Sequence, residues 1–272
     1  MNRHSFLRTA GAGMVGASLL PGKFLANLLR PAARVALQLY TVRDAIAKDL
    51  EGTLARVAEI GFQYVETAFW PQDISLENAS AALKRAGLKV CSCHVELPVG
   101  DKQETFIRTA EAFGCRNLIW HGWPEDKRYS SLEGTRELIA TYNQAAAYAK
   151  KNGLAFGLHN HWWEYRNQVG GKPVYEWLLS QTDPSIFFEI DTYWVKVAGF
   201  RPADVVKRFG SRARFLHLKD GPAKWDEKLI HDEPDPMTAL GKGTQDMPSI
   251  LHAARHAEFL VVEMDKVVGD VF

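Results

Sequence analysis

Two histidines at alternate positions, His159 and His161, close the run Ala155-Phe156-Gly157-Leu158-His159-Asn160-His161, and Trp162-Trp163-Glu164 follows at once. In a β-strand alternate side chains share a face, so the spacing predicts two imidazoles aimed into one pocket. Other short apolar runs end in the same manner: Glu66, His94, His121, Asp191, His217 with Lys219, and Glu263 with Asp265. A mixed carboxylate and imidazole set suits one borderline divalent ion (Mn, Co, Fe or Zn) better than calcium. Asp191, His217 and Glu263 end three successive strand-like runs, so a single ion could touch all three. Such an ion is a Lewis acid that can polarise a bound oxygen and so make a neighbouring C–H easier to deprotonate. The base must come within about 3 Å of that proton, a place Glu263 or His161 could take. Lys219 is placed to neutralise an oxyanion or help a leaving group, with a salt bridge to Asp220 or Glu263 as the alternative. His94 and Glu66 are expected to meet substrate hydroxyls, with His121 and Trp194 beside them. Any one of these histidines alone would more readily be a satisfied structural residue; the number arriving from separate runs favours a site.

The elements that must position these residues follow one grammar from Arg34 onward: a β run, a polar turn, then a helix with apolar residues at intervals of three and four. That alternation predicts a parallel sheet covered by helices. The expected strands are Val35 to Thr41, Phe62 to Thr67, Leu88 to Val95, Arg116 to His121, the stretch from Ala155, Ser185 to Asp191, Ala213 to Leu218 and Phe259 to Met264. Eight strands are what closure into a (β/α)8 TIM barrel of roughly 250 residues needs. Functional residues at the carboxyl ends of the strands fit that architecture. An open doubly wound sheet is the alternative, but no Gly-x-Gly-x-x-Gly or phosphate loop follows the first strand. The segment Lys219 to Gly243 is long, punctuated by Gly and Pro, and expected to cover the site. The sequence stops at Phe272, where an eighth helix would begin, so that helix is missing or truncated, and a homo-oligomer partner is one way to cover the last strand.

Of the 272 residues, basic and acidic groups nearly balance at a formal charge of +1, which gives no electrostatic reason to expect nucleic acid or an anionic membrane as partner. A small-molecule substrate fits better. Cys91, Cys93 and Cys115 make neither a disulfide framework nor a paired zinc motif and read as small core residues. Residues 1–33 differ in character: Arg3-His4-Ser5-Phe6-Leu7-Arg8, then small and apolar residues to Leu20, then Pro21-Gly22. They read as an export-signal-like leader, with residues 34–272 as the barrel domain. The leader resembles a twin-arginine signal in which His4 stands in place of an arginine. A working signal would make the protein periplasmic or exported; otherwise it is cytoplasmic. No later run reaches the roughly 18 apolar residues of a membrane span.

Leu37-Gln38-Leu39-Tyr40-Thr41-Val42-Arg43, the HNHWWEY stretch from His159, EIDTYW from Glu189, FLHLKDG from Phe215 and VVEMD from Val261 together resemble the sugar phosphate isomerase/epimerase family of xylose isomerase-like TIM barrels. The resemblance implies a divalent ion held by Glu, Asp, His and Glu, with Asp191, His217 and Glu263 at three of those positions. At the fourth, His159 stands where the epimerase pattern has a glutamate, so either His159 or Glu164 is the remaining ligand. With one of the two epimerase glutamates absent, one-sided proton abstraction followed by isomerisation or β-elimination becomes an alternative to symmetrical epimerisation. The resemblance implies an isomerase or epimerase of a sugar or keto-sugar derivative. Alternatives are a lyase or dehydratase and, further off, an abasic-site endonuclease or a non-catalytic sugar-binding protein.

Overall fold

A computed structural model describes residues 33–272 apart from 124–125 and 232–233. The leader-like residues lie, except for Ala33, outside the described residues. Eight parallel strands close into a barrel: β1 (Arg34–Gln38), β2 (Tyr64–Thr67), β3 (Lys89–Val95), β4 (Asn117–Trp120), β5 (Ala155–His159), β8 (Phe187–Asp191), β9 (Ala213–Leu218) and β10 (Phe259–Val262). Each pairs with its neighbours in chain order and β10 returns to β1. A two-stranded antiparallel hairpin, β6 (Gln168–Val169) and β7 (Lys172–Pro173), interrupts the connection after β5. The sequence pattern did not anticipate it, since two-residue strands carry no periodicity.

Helices with apolar residues at intervals of three and four follow the strands, as the alternation predicts, including Leu50–Ile60, Leu76–Arg85, Lys102–Phe113 and Leu132–Lys151. Asp49, Ser75 and Ser131 cap three of these, each accepting a hydrogen bond from the backbone N–H three residues on. β2, β3, β8 and β9 end where the pattern placed them, at Thr67, Val95, Asp191 and Leu218, whereas β1, β4, β5 and β10 stop short of the expected carboxyl ends. Leu39–Val42 is a 3-10 turn rather than the end of β1, β5 stops at His159, and β10 stops at Val262. The final helix spans Met247–Ala253, and no helix follows β10 among the described residues.

The barrel interior is layered. Phe187, Phe215 and Phe259 pack ring to ring low in the barrel, at centroid separations of 5.4 and 5.3 Å, with Ala36, Cys91 and Ile119 around them. Gly157 faces this layer because a Cβ there would lie 2.4 Å from the Phe187 ring. Above the aromatics the interior turns polar: Gln38, Glu66, Ser92, Glu189 and His217 are all inaccessible to solvent. All three cysteines are free and buried, as the sequence suggested.

Candidate metal centre

The polar layer is a closed set of hydrogen bonds that holds His217. Its Nε2 lies 2.7 Å from Glu66 Oε1 and 3.2 Å from Glu189 Oε1. Glu66 is fixed in turn by Gln38 Nε2 at 2.7 Å and by the Ser92 hydroxyl. Burial opposes its ionisation, but the His94 and His217 imidazoles overcome that and hold its carboxyl well below the usual range. His94 Nε2 sits 2.7 Å from Glu189 Oε2 and 3.2 Å from Glu66 Oε1. Burial lowers the His94 pKa, yet the Glu66 charge and the Glu189 hydrogen bond outweigh it and raise it to about 9. A carboxylate that accepts from one ring nitrogen of a histidine sets the tautomer and leaves the other nitrogen's lone pair to a ligand. Here that other nitrogen is His217 Nδ1.

Around His217 Nδ1 gather one atom each from His159, Asp191 and Glu263, all four within 4.8 Å of one another. His159 Nε2 is 3.5 Å from Asp191 Oδ2; His217 Nδ1 is 3.8 Å from the same oxygen and 2.6 Å from Glu263 Oε2. Bonds of about 2.1 Å to a shared ion produce edges of this size. Local structure aims the aspartate. It caps the helix Thr192–Val197, so Oδ1 accepts from the N–H groups of Tyr193 and Trp194 at 2.9 and 3.0 Å and Oδ2 is left to face inward. Asn160 fixes the Asp191 backbone, accepting from its N–H at 3.0 Å. The buried atoms His159 Nε2, Asp191 Oδ2 and His217 Nδ1 make no hydrogen bond, and the short approach to Glu263 is an ion-pair distance without hydrogen-bond geometry. Asp191 Oδ2 and His217 Nδ1 have ion-pair neighbours only, Lys219 Nζ at 2.9 Å and Glu263 Oε2 at 2.6 Å, and a borderline divalent ion would give all three atoms a common partner. The residues therefore fit the cation that the sequence pattern implied.

Charged groups of both signs crowd the same volume. Asp191 and Glu263 are buried, which pushes their carboxyls up, but the Lys219 ammonium and neighbouring imidazoles hold both far below the ordinary range. Burial likewise opposes charge on His217, and the Glu189, Glu263 and Glu66 carboxylates more than offset it. Lys219 Nζ lies 2.9 Å from Asp191 Oδ2, 2.8 Å from Glu263 Oε2 and 2.7 Å from Asp265 Oδ1. It thus touches two of the four convergent side chains and has a further seat on Asp265. Burial, aided by Glu263 and Asp191, pushes the Asp265 carboxyl up to about 7 against the pull of Lys219.

These groups open on a cavity of about 690 Å³, lined among others by His94, His121, His161, Trp194, Lys219 and Glu263. His161 does not lie on the strand with His159 as alternation suggested. It sits in the turn after β5, and its ring reaches the cavity because it stacks on Trp163 at 4.1 Å. Burial, then the charges of His159 and Lys219, hold its pKa well below the usual histidine value, so the ring is neutral. His159 and His121 are also lowered, chiefly by burial.

Of the expected site residues, two stand apart from the cavity or the ligand set. Glu66 does not line the cavity; it lies beneath it with both oxygens engaged by protein groups, His217 Nε2 among them, and with His94, Glu189 and His217 it forms a second group that could hold an ion. Glu164 belongs to the short helix Trp163–Arg166, where Oε2 accepts from the His161 N–H at 2.9 Å, and it is outside the four-residue group. Burial raises its pKa to about 8. Asn160, Tyr40 and Arg43 were assigned no role from the sequence, and Glu189 and Asp265 only a shared face with Asp191 and Glu263. Tyr40 and Arg43 reach the cavity through the 3-10 turn after β1, for which the sequence had no signal, whereas Glu189 was legible from its alternation with Asp191. Asp220, in the HLKDG motif, organises the covering loop: its carboxylate accepts from the backbone N–H groups of Gly221, Gly241 and Gln245.

A closed parallel barrel with its polar groups gathered at the carboxyl ends of the strands is the enzyme-bearing TIM-barrel architecture. The chain belongs to the xylose isomerase-like TIM barrel family, which it matches over residues 54–267. Among solved structures it is similar to a sugar phosphate isomerase/epimerase from Parabacteroides distasonis, at 23% identity over 87% of this chain and 92% of that one, with a TM-score of 0.70. It is also similar to the probable 3-DHS dehydratase AsbF from Bacillus anthracis (13% identity, 85% and 92% covered, TM-score 0.66). An L-ribulose 3-epimerase matches at 18% identity, with 87% and 82% covered and a TM-score of 0.62. At these identities the likeness is one of fold. No protein of curated function matches the sequence.

Proposed function

We propose that this protein is a divalent-metal-dependent isomerase or epimerase of a sugar or keto-sugar derivative. The observation that carries this reading is the convergence of His159 Nε2, Asp191 Oδ2, His217 Nδ1 and Glu263 Oε2 from four neighbouring barrel strands onto one small volume. These four side chains would hold the ion. An ion bound there supplies polarisation of a carbonyl and its neighbouring hydroxyl, which lowers the barrier to removing the adjacent proton.

The rest is the work of the chain's own residues. Glu66 holds the Nε2 proton of His217 and so presents Nδ1. Lys219 places a fixed positive charge at the cavity wall, where an oxyanion would develop, and Asp265 keeps it there. His94, charged through Glu66 and Glu189, offers a donor to substrate oxygen. His161 reaches the cavity as a neutral ring with Nδ1 unpartnered and, with Glu263, is the candidate to take the proton. Trp194 adds a flat wall.

One observation favours a second reading. The β5 position of the convergent set is an imidazole, His159, so among the four side chains the carboxylates are Asp191 and Glu263, which come from β8 and from just beyond β10. A proton removed on one face then lacks a second carboxylate on β5 to return it to the other, which favours loss of a β substituent, the reaction of a lyase. Incubating the manganese-loaded protein with ketoses and with 3-keto-glycosides in D2O, followed by proton NMR, tests both readings. Deuterium exchange with an interconverted sugar supports the isomerase, and an unsaturated product supports the lyase. Absence of exchange and product across both classes, with metal bound, contradicts the proposal.

A further inference from the structure

The cavity is larger and more aromatic at its mouth than one sugar ring requires. Its volume of about 690 Å³ is in the range of pockets that enclose drug-sized ligands. The convergent ligand atoms come from β5, β8, β9 and the end of β10, which are consecutive around the barrel and so form one half of its rim. The other half carries Phe69, just after β2, and Trp123, just after β4. Their rings stack at 6.2 Å with an interplanar angle of 19°, and both residues line the same cavity. They are 50% and 46% exposed, so two large apolar rings are held side by side toward solvent. His121 braces both, edge-on to Phe69 at 4.8 Å and to Trp123 at 4.5 Å. Ala68, Phe69 and His94 are shared with a second, adjoining cavity of about 340 Å³, so space continues past the platform.

An exposed aromatic pair costs free energy in water unless a partner covers it, and aromatic faces recognise flat rings, whether arenes or the C–H faces of sugars. We infer that the substrate is a two-ring conjugate: a reacting sugar facing His159, Asp191, His217 and Glu263, joined to a second ring that lies on the Phe69–Trp123 platform. This rests on the proposed reading that the reacting group is a sugar, and it adds a substrate class, a glycoside rather than a free monosaccharide.

Isothermal titration of the manganese-loaded protein with methyl β-glucoside, phenyl β-glucoside and cellobiose tests the inference. The second ring is expected to tighten binding about tenfold over the methyl glycoside, and Phe69→Ala and Trp123→Ala are each expected to bring that ratio close to one. Both residues are half exposed, so the variants are expected to fold, which circular dichroism checks. A preference for the phenyl glycoside alone identifies an arene, and one for cellobiose alone a second sugar; either supports the platform. Equal affinities for all three probes, no binding of any, or a ratio that survives both substitutions overturns it. Metal content measured on the same samples separates this outcome from the wider reading: a protein without bound metal that still prefers two-ring probes contradicts the enzyme proposal and leaves the platform standing.

Discussion

Glu66 bears on the His217 imidazole and Lys219 on the Asp191 and Glu263 carboxylates, and they should behave in opposite ways when removed. Glu66 accepts from His217 Nε2, so Glu66→Gln disturbs the tautomer that presents Nδ1; manganese affinity is expected to fall tenfold to a hundredfold in a calorimetric titration. Lys219 competes for Asp191 and Glu263, so Lys219→Met should bind manganese more tightly than the parent while losing turnover. Its metal-free form, with three carboxylates left facing one another, should melt at lower temperature and regain more on adding manganese. Glu164 makes a pH prediction. Its folded pKa of about 8 stands above the ordinary 4.5, so between those values the folded protein holds a proton the unfolded chain has released. Stability contributed by that proton is present at pH 4.5 and lost as pH rises through 8. Glu164→Gln keeps the acceptor for the His161 N–H and should match the parent near pH 4.5 but exceed it near pH 8 by on the order of a few kcal/mol in urea unfolding. A fall in metal content in this variant would instead return Glu164 to the ligand set.

At the scale of elements, the strands and helices were legible because each has a period and a stop signal. Leu132–Lys151 carries apolar residues at intervals of three and four and stops just before Gly153, and β9 is a short run of leucine, phenylalanine and histidine side chains. The carboxyl ends of β1, β4, β5 and β10 were not legible, since local alternation cannot show where the ladder gives way to turns. His161 and Glu263 therefore reach the cavity from just beyond their strands, by packing rather than by pleat. The covering loop after β9 depends on one carboxylate, and Gly243 approaches it so closely that a Cβ would fall 2.1 Å from Asp220 Oδ1. Gly243→Ala should displace the loop, costing about 1–3 kcal/mol by urea unfolding and weakening substrate binding more than turnover. In the barrel interior, Gly157→Ala meets Phe187 and should cost a similar amount with metal affinity little changed, because the aromatic layer lies beneath the polar one.

For the whole molecule, the barrel gathers a ligand set in which no two side chains are neighbours in sequence. Asp191, His217 and Glu263 could be read as partners once eight strands were recognised, because successive strands in a barrel are adjacent. Glu66 carried the same signal but acts beneath the site; only depth along the barrel axis, which sequence does not encode, separates it from a substrate contact. An imidazole at His159, where the resemblance implies a glutamate, was visible in the sequence, and its consequence for the reaction turns on the ion the site holds. Elemental analysis of the purified protein beside Asp191→Ala, His217→Ala and Glu263→Ala therefore tests the account most directly. About one divalent ion per chain in the parent, lost from all three variants while their circular dichroism stays that of the parent, is the expected result. A parent that binds no divalent ion, or variants that retain it in full, would contradict the metal centre on which the proposed chemistry rests.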